Sequence, residues 1–298
     1  MKILDNSKTK ALSIFAMLLI CTSGFGQALS TKDFRLDKEY SNHKIILYED
    51  LSATAMSPYS LDLARELAFF GVGCATLTAG LIMRSNIVPL TEEEIAALDP
   101  MDVPVFDRGT ITTKKEVTAG DLLLLSSMLF PFAFLSHEET KKDINTLAVM
   151  TAEVLLLQSG LNFCVKSLTQ RVRPYCYDNK TPLTEKTGVS AKLSFYSGHT
   201  STTAALSFFV AKVFADYLSS SRTKLIIWTS AAIYPALTGL LRLDSGSHFR
   251  SDIIVGYVTG ALIGYFIPVL HRSRLKDHLA VHTTFSRDYV AVGIRCNF

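Results

Sequence analysis

Arg242-Leu243-Asp244-Ser245-Gly246-Ser247-His248-Phe249-Arg250-Ser251-Asp252 runs without interruption into the apolar stretch 253–270. Charged and titratable groups therefore stand at the mouth of a segment close to the length that crosses a lipid core. His248 and Asp252 are spaced i, i+4 and share one face of a helix, so the carboxylate can hold one imidazole nitrogen and leave the other free to react. Further on, Gly256, Gly260 and Gly264 recur at every fourth position. That spacing suits close helix packing in lipid and is also found in buried soluble helices.

Working back from this stretch, five more apolar segments appear, at 67–83, 122–135, 144–165, 200–218 and 225–241. They lack the strict alternation of strands, carry Ala and Leu freely, and meet helix-start residues such as Asp121 before the second. The fold class read from them is all-α, a helical bundle of about six apolar helices, membrane-embedded, with the active site at one end. Composition agrees. The 298 residues are 48% hydrophobic and 19% charged with a mean hydropathy of +0.26, against about a quarter charged in a soluble domain. These figures exclude a disordered chain, and a net charge of +3 with no basic tail or block gives no case for nucleic acid. Glu153, Gln158 and Asn162 interrupt the third segment. An ionisable group in a span faces a partner or a cavity, and a polar contact between helices serves Gln158 and Asn162 equally well.

Residues 1–28 read as a signal peptide, with Lys2, Lys8 and Lys10 before an apolar run at 11–21 and a small-residue region at 24–28. An uncleaved anchor is the alternative. Residues 29–60 form an N-terminal segment of ordinary polarity, 61–275 the main domain, and 276–298 a C-terminal tail. Within the tail, 283–298 reads as one short β-like run. In the 84–120 connection, Thr91-Glu92-Glu93-Glu94 is a capping-box start for a short helix ending near Asp99-Pro100. The five cysteines show no metal-binding spacing. Cys74 and Cys164 read as small core hydrophobes, while Cys176 and Cys296 are able to pair in an oxidising compartment.

Three polar constellations stand at helix ends. The third segment exits into Lys166, with Arg173-Pro174 beyond it; the fourth is entered through Tyr196-Ser197-Gly198-His199; the fifth exits at Arg242, with His248 and Asp252 beyond. If the helices alternate in direction, all three fall at one end of the bundle. The residue types suit a phosphate. Lys166, Arg173 and Arg242 are cations, and a guanidinium matches phosphate oxygens. Ser197 and Gly198 open a helix whose free N–H groups favour an anion. His248 serves as nucleophile and His199 as the acid for the leaving oxygen. Each piece alone has an ordinary reading: a snorkelling cation, an N-cap, a helix-surface pair. Their joint order outweighs those readings.

Lys166-x6-Arg173-Pro174, Ser197-Gly198-His199 and Arg242-x5-His248-x3-Asp252 together resemble the three-part motif of the type 2 phosphatidic acid phosphatases. That superfamily includes bacterial acid phosphatases and vanadium haloperoxidases. The resemblance spans about residues 60 to 275 and makes 61–275 a phosphatase domain. It implies that His248 attacks phosphorus to form a phosphohistidine, Asp252 orients it and His199 is the general acid. Lys166, Arg173, Arg242, Ser197 and the Gly198 N–H are implied to hold the phosphoryl group, with no metal and no cofactor. Tyr196 stands where the family has Pro and Leu241 where it has Ser; both departures bear on rate or substrate range. Arg171 reads as a solvated charge or a substrate contact.

The reading is a phosphatase acting on a phosphomonoester or diphosphate of a membrane lipid, with the membrane and a lipid phosphate as partners and no obligate protein partner. The alternatives are a soluble periplasmic acid phosphatase, a vanadate-dependent haloperoxidase and a protein that binds phosphate without cleaving it. Localisation reads as a bacterial-type cell envelope, inner membrane, with the active site facing the periplasm. Here two signals conflict. An exported start with six full spans puts the catalytic end in the cytoplasm, whereas the basic connections at Lys141-Lys142, Arg222 to Lys224 and Arg272 to Lys276 put it outside. Either the first or second segment does not span, or the signal reading is wrong.

Overall fold

Six long helices follow one another in alternating direction: α1 (Leu63–Ser85), α2 (Thr118–Ser127), α3 (Ile144–Thr169), α4 (Gly198–Tyr217), α5 (Ser221–Asp244) and α6 (Arg250–Leu270). A 3-10 turn, Phe130–Ser136, extends α2. In this computed structural model the described residues are 57–116, 118–273, 279–285 and 290–296. They fall within one compact unit, Ala55–Phe298. The signal-peptide reading of 1–28 and nearly all of 29–60 lie outside the described residues.

The starts and stops follow from local chemistry. Asp62 caps α1 by accepting from Arg65 N, Ser197 caps α4 by accepting from Thr200 N, and Ser220 caps α5 through Thr223 N. Helix α3 ends abruptly because Gln170 takes a left-handed conformation, φ 42°, and its N–H donates to Lys166 O. That turn sends the chain back across the bundle end towards Arg171 and Arg173.

Helix α4 is the axis of the bundle, packed against α6, α5, α3 and α2. Its buried residues include Thr200, Ser201, Thr203, Ser207 and Lys212 as well as Phe209 and Val213, so its polar groups are enclosed by protein. Five other stretches, Leu63–Ser85, Thr118–Ser136, Ile144–Tyr177, Ser221–Asp244 and Arg250–Leu270, are long and apolar enough to cross a membrane. Their outer faces expose Leu67, Ile82, Leu125, Phe132, Ile226 and Leu262. A continuous apolar exterior of this kind needs lipid around it, and the chain is a membrane protein.

The glycine spacing in α6 has its partner in α4. A Cβ on Gly256 would stand 2.7 Å from Ser197 O, and one on Gly260 or Gly264 would collide with the backbone oxygen of Ser201 or Ala205. The core proper sits beneath, around Phe134, Leu147, Met150, Val154, Phe209 and Ile267. Gln158 donates to Ser201 Oγ, and Asn162 Nδ2 donates to Tyr196 O at 3.0 Å; both are contacts between elements. Cys164 Sγ donates to Thr76 O at 2.9 Å.

Two expectations are corrected. The Thr91 capping box forms, with Thr91 Oγ1 accepting from Glu94 N and Glu94 Oε2 from Thr91 N, but the helix is only Glu92–Ala96. Pro100–Asp102 then makes a separate 3-10 turn and Val105–Arg108 another short helix. The tail is a hairpin: β1 (Leu279–Phe285) pairs antiparallel with β2 (Val290–Cys296), Leu279 opposite Cys296. A lone strand would leave its backbone groups unpaired, and the residues before 283 supply the second. Cys176 is a free, buried thiol.

Candidate active site

Motif residues separated by up to 86 positions in sequence meet at one end of the bundle through backbone carbonyls. Lys166 Nζ donates to Leu193 O at 2.7 Å, and Arg173 Nη2 reaches the same oxygen at 3.4 Å. Arg173 Nη1 donates to Ser247 O at 3.0 Å and its Nε to Ser190 O at 2.8 Å. Ser197 N donates to Asp252 O at 3.0 Å. The first motif is thereby fastened to the third, and the second to the third. Gly246, at φ +66°, makes the turn after α5 that returns the chain to His248, and a side chain there would also meet Thr112 O.

His248 is 1% exposed and Asp252 0%. His248 Nδ1 stands 3.6 Å from Asp252 Oδ2 and makes no hydrogen bond. The expected His–Asp contact is thus long, and its cause is competition. Asp252 Oδ2 already accepts from Ser194 Oγ and from Phe249 N, the second closing the first turn of α6, while Oδ1 accepts from Arg171 Nη1 at 2.6 Å. Burial pushes the His248 imidazole well below the usual histidine range. Asp252 opposes that shift, and Arg173 and Lys166 add to it. The ring is therefore neutral at pH 7, the form a nucleophile requires.

His199 and Arg242 meet at Asp121. His199 Nε2 is 2.8 Å and Arg242 Nη1 3.2 Å from Asp121 Oδ1, a carboxylate whose side chain is 59% exposed. Arg242 Nε is buried with no hydrogen-bond partner, which leaves one donor of the guanidinium unsatisfied. Ser197 Oγ is engaged with Thr200 and fully buried, so its work is the cap. The amides of Gly198 and His199 open α4 and have no partner within it. A side chain at 198 would come 2.9 Å from Asn162 Oδ1, which explains Gly at that position. The eight expected residues, Lys166, Arg173, Ser197, Gly198, His199, Arg242, His248 and Asp252, all lie at this end.

An apolar groove of about 500 Å³ opens beside the site between α5 and α6, lined by Phe106, Leu240, Leu243, Arg250, Ile253 and Tyr257 among others. A second apolar cavity, about 510 Å³, lies between Phe130, Leu218 and Tyr234 towards the other end, away from these groups.

Residues 146–276 match the family model of the PAP2 superfamily. That stretch holds all three motifs. The stretch is similar to the PAP2 superfamily. A lipid A 4'-phosphatase of Porphyromonas gingivalis is 27% identical over 149 residues, 48% of this chain and 58% of that protein. The chain therefore spans little more than half the length of that relative. A transmembrane PAP2-type phosphatidylglycerolphosphate phosphatase of Bacillus subtilis, known from a crystal structure, is 19% identical. That comparison covers 72% of this chain and 96% of the other, with a TM-score of 0.41.

The PAP2 motifs left several neighbours unread. Arg171 is committed to side chains of the protein: Nη1 reaches Asp252 and Ser251 Oγ, Nη2 donates to Asp107 Oδ2 at 2.7 Å, and the guanidinium lies 4.1 Å from the Phe249 ring centre. Asp107 also accepts from Ser251 N and Ser251 Oγ, tying the 84–120 connection to the first turn of α6. Asp107, Asp121 and Ser194 sit outside the three PAP2 motifs, on loops or a helix start with no periodicity to mark them. Tyr196, where the family pattern has Pro, is a buried side chain whose hydroxyl has no partner.

Proposed function

We propose that this chain is a lipid phosphatase that hydrolyses a phosphomonoester or diphosphate of a membrane lipid through a phosphohistidine. The observation that carries the reading is the convergence of Lys166, Arg173, Arg242, His199 and His248 on one end of the bundle, with Arg242 Nε unpartnered there. His248 Nδ1 faces Asp252, so Nε2 is the attacking nitrogen. It forms a P–N bond as the P–O bond to the lipid breaks, and His199 gives its proton to the leaving oxygen. Water then attacks phosphorus, His199 takes up a proton, and the P–N bond breaks to release phosphate. Lys166, Arg173, Arg242 and the Gly198 and His199 amides hold the phosphoryl oxygens as charge shifts onto them. Asp252 orients His248, and Arg171 with Ser194 holds Asp252.

The apolar groove next to Arg250 offers the surroundings an acyl chain needs. The exposed apolar helix faces argue against the soluble acid phosphatase reading. Lipid A phosphates head the candidate substrates, since the Porphyromonas gingivalis relative carries that name; phosphatidic acid, phosphatidylglycerol phosphate and isoprenoid diphosphates complete the set. We place the protein in the inner membrane with the catalytic end towards the periplasm and 61–275 as the phosphatase domain.

The test is phosphate release from this panel in detergent by wild type and His248→Ala. Wild type is expected to hydrolyse at least one lipid and to form an acid-labile phosphoenzyme. The variant is expected to remain folded and form none. Normal turnover by His248→Ala would sink the nucleophile assignment, and no release from any lipid would sink the substrate class.

A further inference from the structure

At the end of the bundle opposite His248, three helices bring together side chains that the phosphatase reading leaves without work. Glu66 lies in the first turn of α1, Glu153 faces it from α3, and His271 is the C-cap of α6. His271 Nε2 stands 2.9 Å from Glu66 Oε2 and 3.0 Å from Glu153 Oε2. One such atom from each residue lies within 4.8 Å of the other two, and all three residues are buried. Carboxylates do gather at helix ends without a ligand, but a second observation sets this group apart. Glu153 is 0% exposed and neither of its oxygens has a hydrogen-bond partner.

The surrounding contacts do not supply one. Arg65 Nε and Nη2 donate to Glu66 Oε1 at 3.2 and 2.8 Å, which leaves Glu66 Oε2 turned towards the cluster. His271 Nδ1 is 2.8 Å from Ile267 O, so Nδ1 carries a proton, and Nε2 is the ring nitrogen that faces both carboxylates. A backbone carbonyl fixing Nδ1 while Nε2 faces outward is the usual support of a metal-binding histidine, and Arg65 on Glu66 is the matching support of a carboxylate. The Phe69 ring stacks against the imidazole at 5.8 Å. Without an ion, one Nε2–H is all that the imidazole can offer to the two buried carboxylates beside it.

We propose that Glu66, Glu153 and His271 form a structural site for a divalent first-row transition-metal ion of the zinc class, clamping α1, α3 and α6 together. One imidazole and two carboxylates form a donor set suited to such an ion. Tetrahedral ligands about 2.0–2.1 Å from one ion lie about 3.3–3.4 Å from each other, so the observed 2.9 and 3.0 Å need to open by about 0.4 Å. The site is independent of the proposed phosphatase reaction, and the metal takes no part in it.

The test uses the full chain in detergent, stripped with a chelator and titrated with Zn2+ alone, reading bound zinc per chain and melting temperature. Wild type is expected to hold about one ion, to melt higher with zinc and to lose that gain on chelation. Glu153→Gln and His271→Gln are each expected to weaken zinc binding at least about tenfold, whereas His248→Ala keeps the zinc and loses only phosphate release. A wild type that binds no zinc above background and melts unchanged overturns the site, as does zinc held equally by both cluster variants. Should either variant fail to fold, X-ray absorption of the zinc-loaded wild type decides. One imidazole with oxygen ligands supports the site, and any other ligand set refutes it.

Discussion

Arg171 ties two buried carboxylates together beside His248. It gives one nitrogen to Asp252 and the other to Asp107, both almost fully buried carboxylates. Replacing it with Ala strands two anions at once. With Arg171 partly exposed, the expected loss is about 1–3 kcal/mol in stability. Because the side chain is spent on Asp252 and Asp107, Arg171→Ala is expected to cut kcat about tenfold or more and leave KM near its wild-type value. Arg171→Lys keeps the charge but loses the fork, and should recover only part of the rate. A raised KM with unchanged kcat would instead make Arg171 a substrate contact. His248 gives a pH prediction of definite sign. Its pKa is depressed in the folded protein, so the unfolded chain takes up the extra proton first. Stability from this group is complete above about pH 6.5 and falls as pH drops through that value. Melting curves of wild type and His248→Gln should run parallel above pH 7.5 and draw together towards pH 5. The His248 and Asp252 pair was legible because four residues on a helix bring two side chains to one face. Asp107, Ser194 and Asp121 were not: Asp107 and Ser194 reach Asp252's neighbourhood, and Asp121 reaches Arg242, across 58 to 144 positions with no repeating pattern.

Between elements, the α4–α6 seam brings two helix backbones into close approach. Its three glycines bring α6 onto the backbone oxygens of Ser197, Ser201 and Ala205, and the same seam carries Ser197 at its upper end beside Asp252. Gly260→Ala should force the helices apart and cost about 1–3 kcal/mol, read as a lower melting temperature with reduced kcat. Gly71→Ala is the matched control: nothing lies within 4 Å of its added carbon, and it should be neutral or slightly stabilising. Equal melting temperatures for the two variants would contradict the packing described. The four-residue spacing announced a close approach, but it did not say to which helix. Nor did it foresee the hairpin at 279–296, since a single alternating run gives no sign of its partner.

For the molecule as a whole, the topological conflict turns on how many helices cross. The first and second apolar segments are both long and apolar enough to cross, counting the turn that extends α2. If all six helices cross, an outward catalytic end puts Lys141, Lys142, Arg222, Lys224 and Arg272 on the cytoplasmic side, whereas an exported start at 1–28 puts them outside. Asn179 is exposed in the loop above the site, and Asn179→Cys is expected to react with an impermeant thiol reagent added to intact cells. Protection there, with labelling only after lysis, would put the catalytic end in the cytoplasm, as an exported start does.

Helix α4 opens with the Gly198 and His199 groups of the proposed phosphate site, yet it is absent from the stretches apolar enough to cross a membrane unaided. A ribosome emits it after α3 and before α5 and α6, the helices that will shield its threonines, serines and Lys212. During that interval it cannot settle in lipid at little cost. It must wait beside the translocation machinery, or be drawn in as a pair with a later helix. The catalytic end therefore matures last, only once the carboxyl-terminal helices are made, and a nascent chain carries no working site while it is still being threaded into the bilayer.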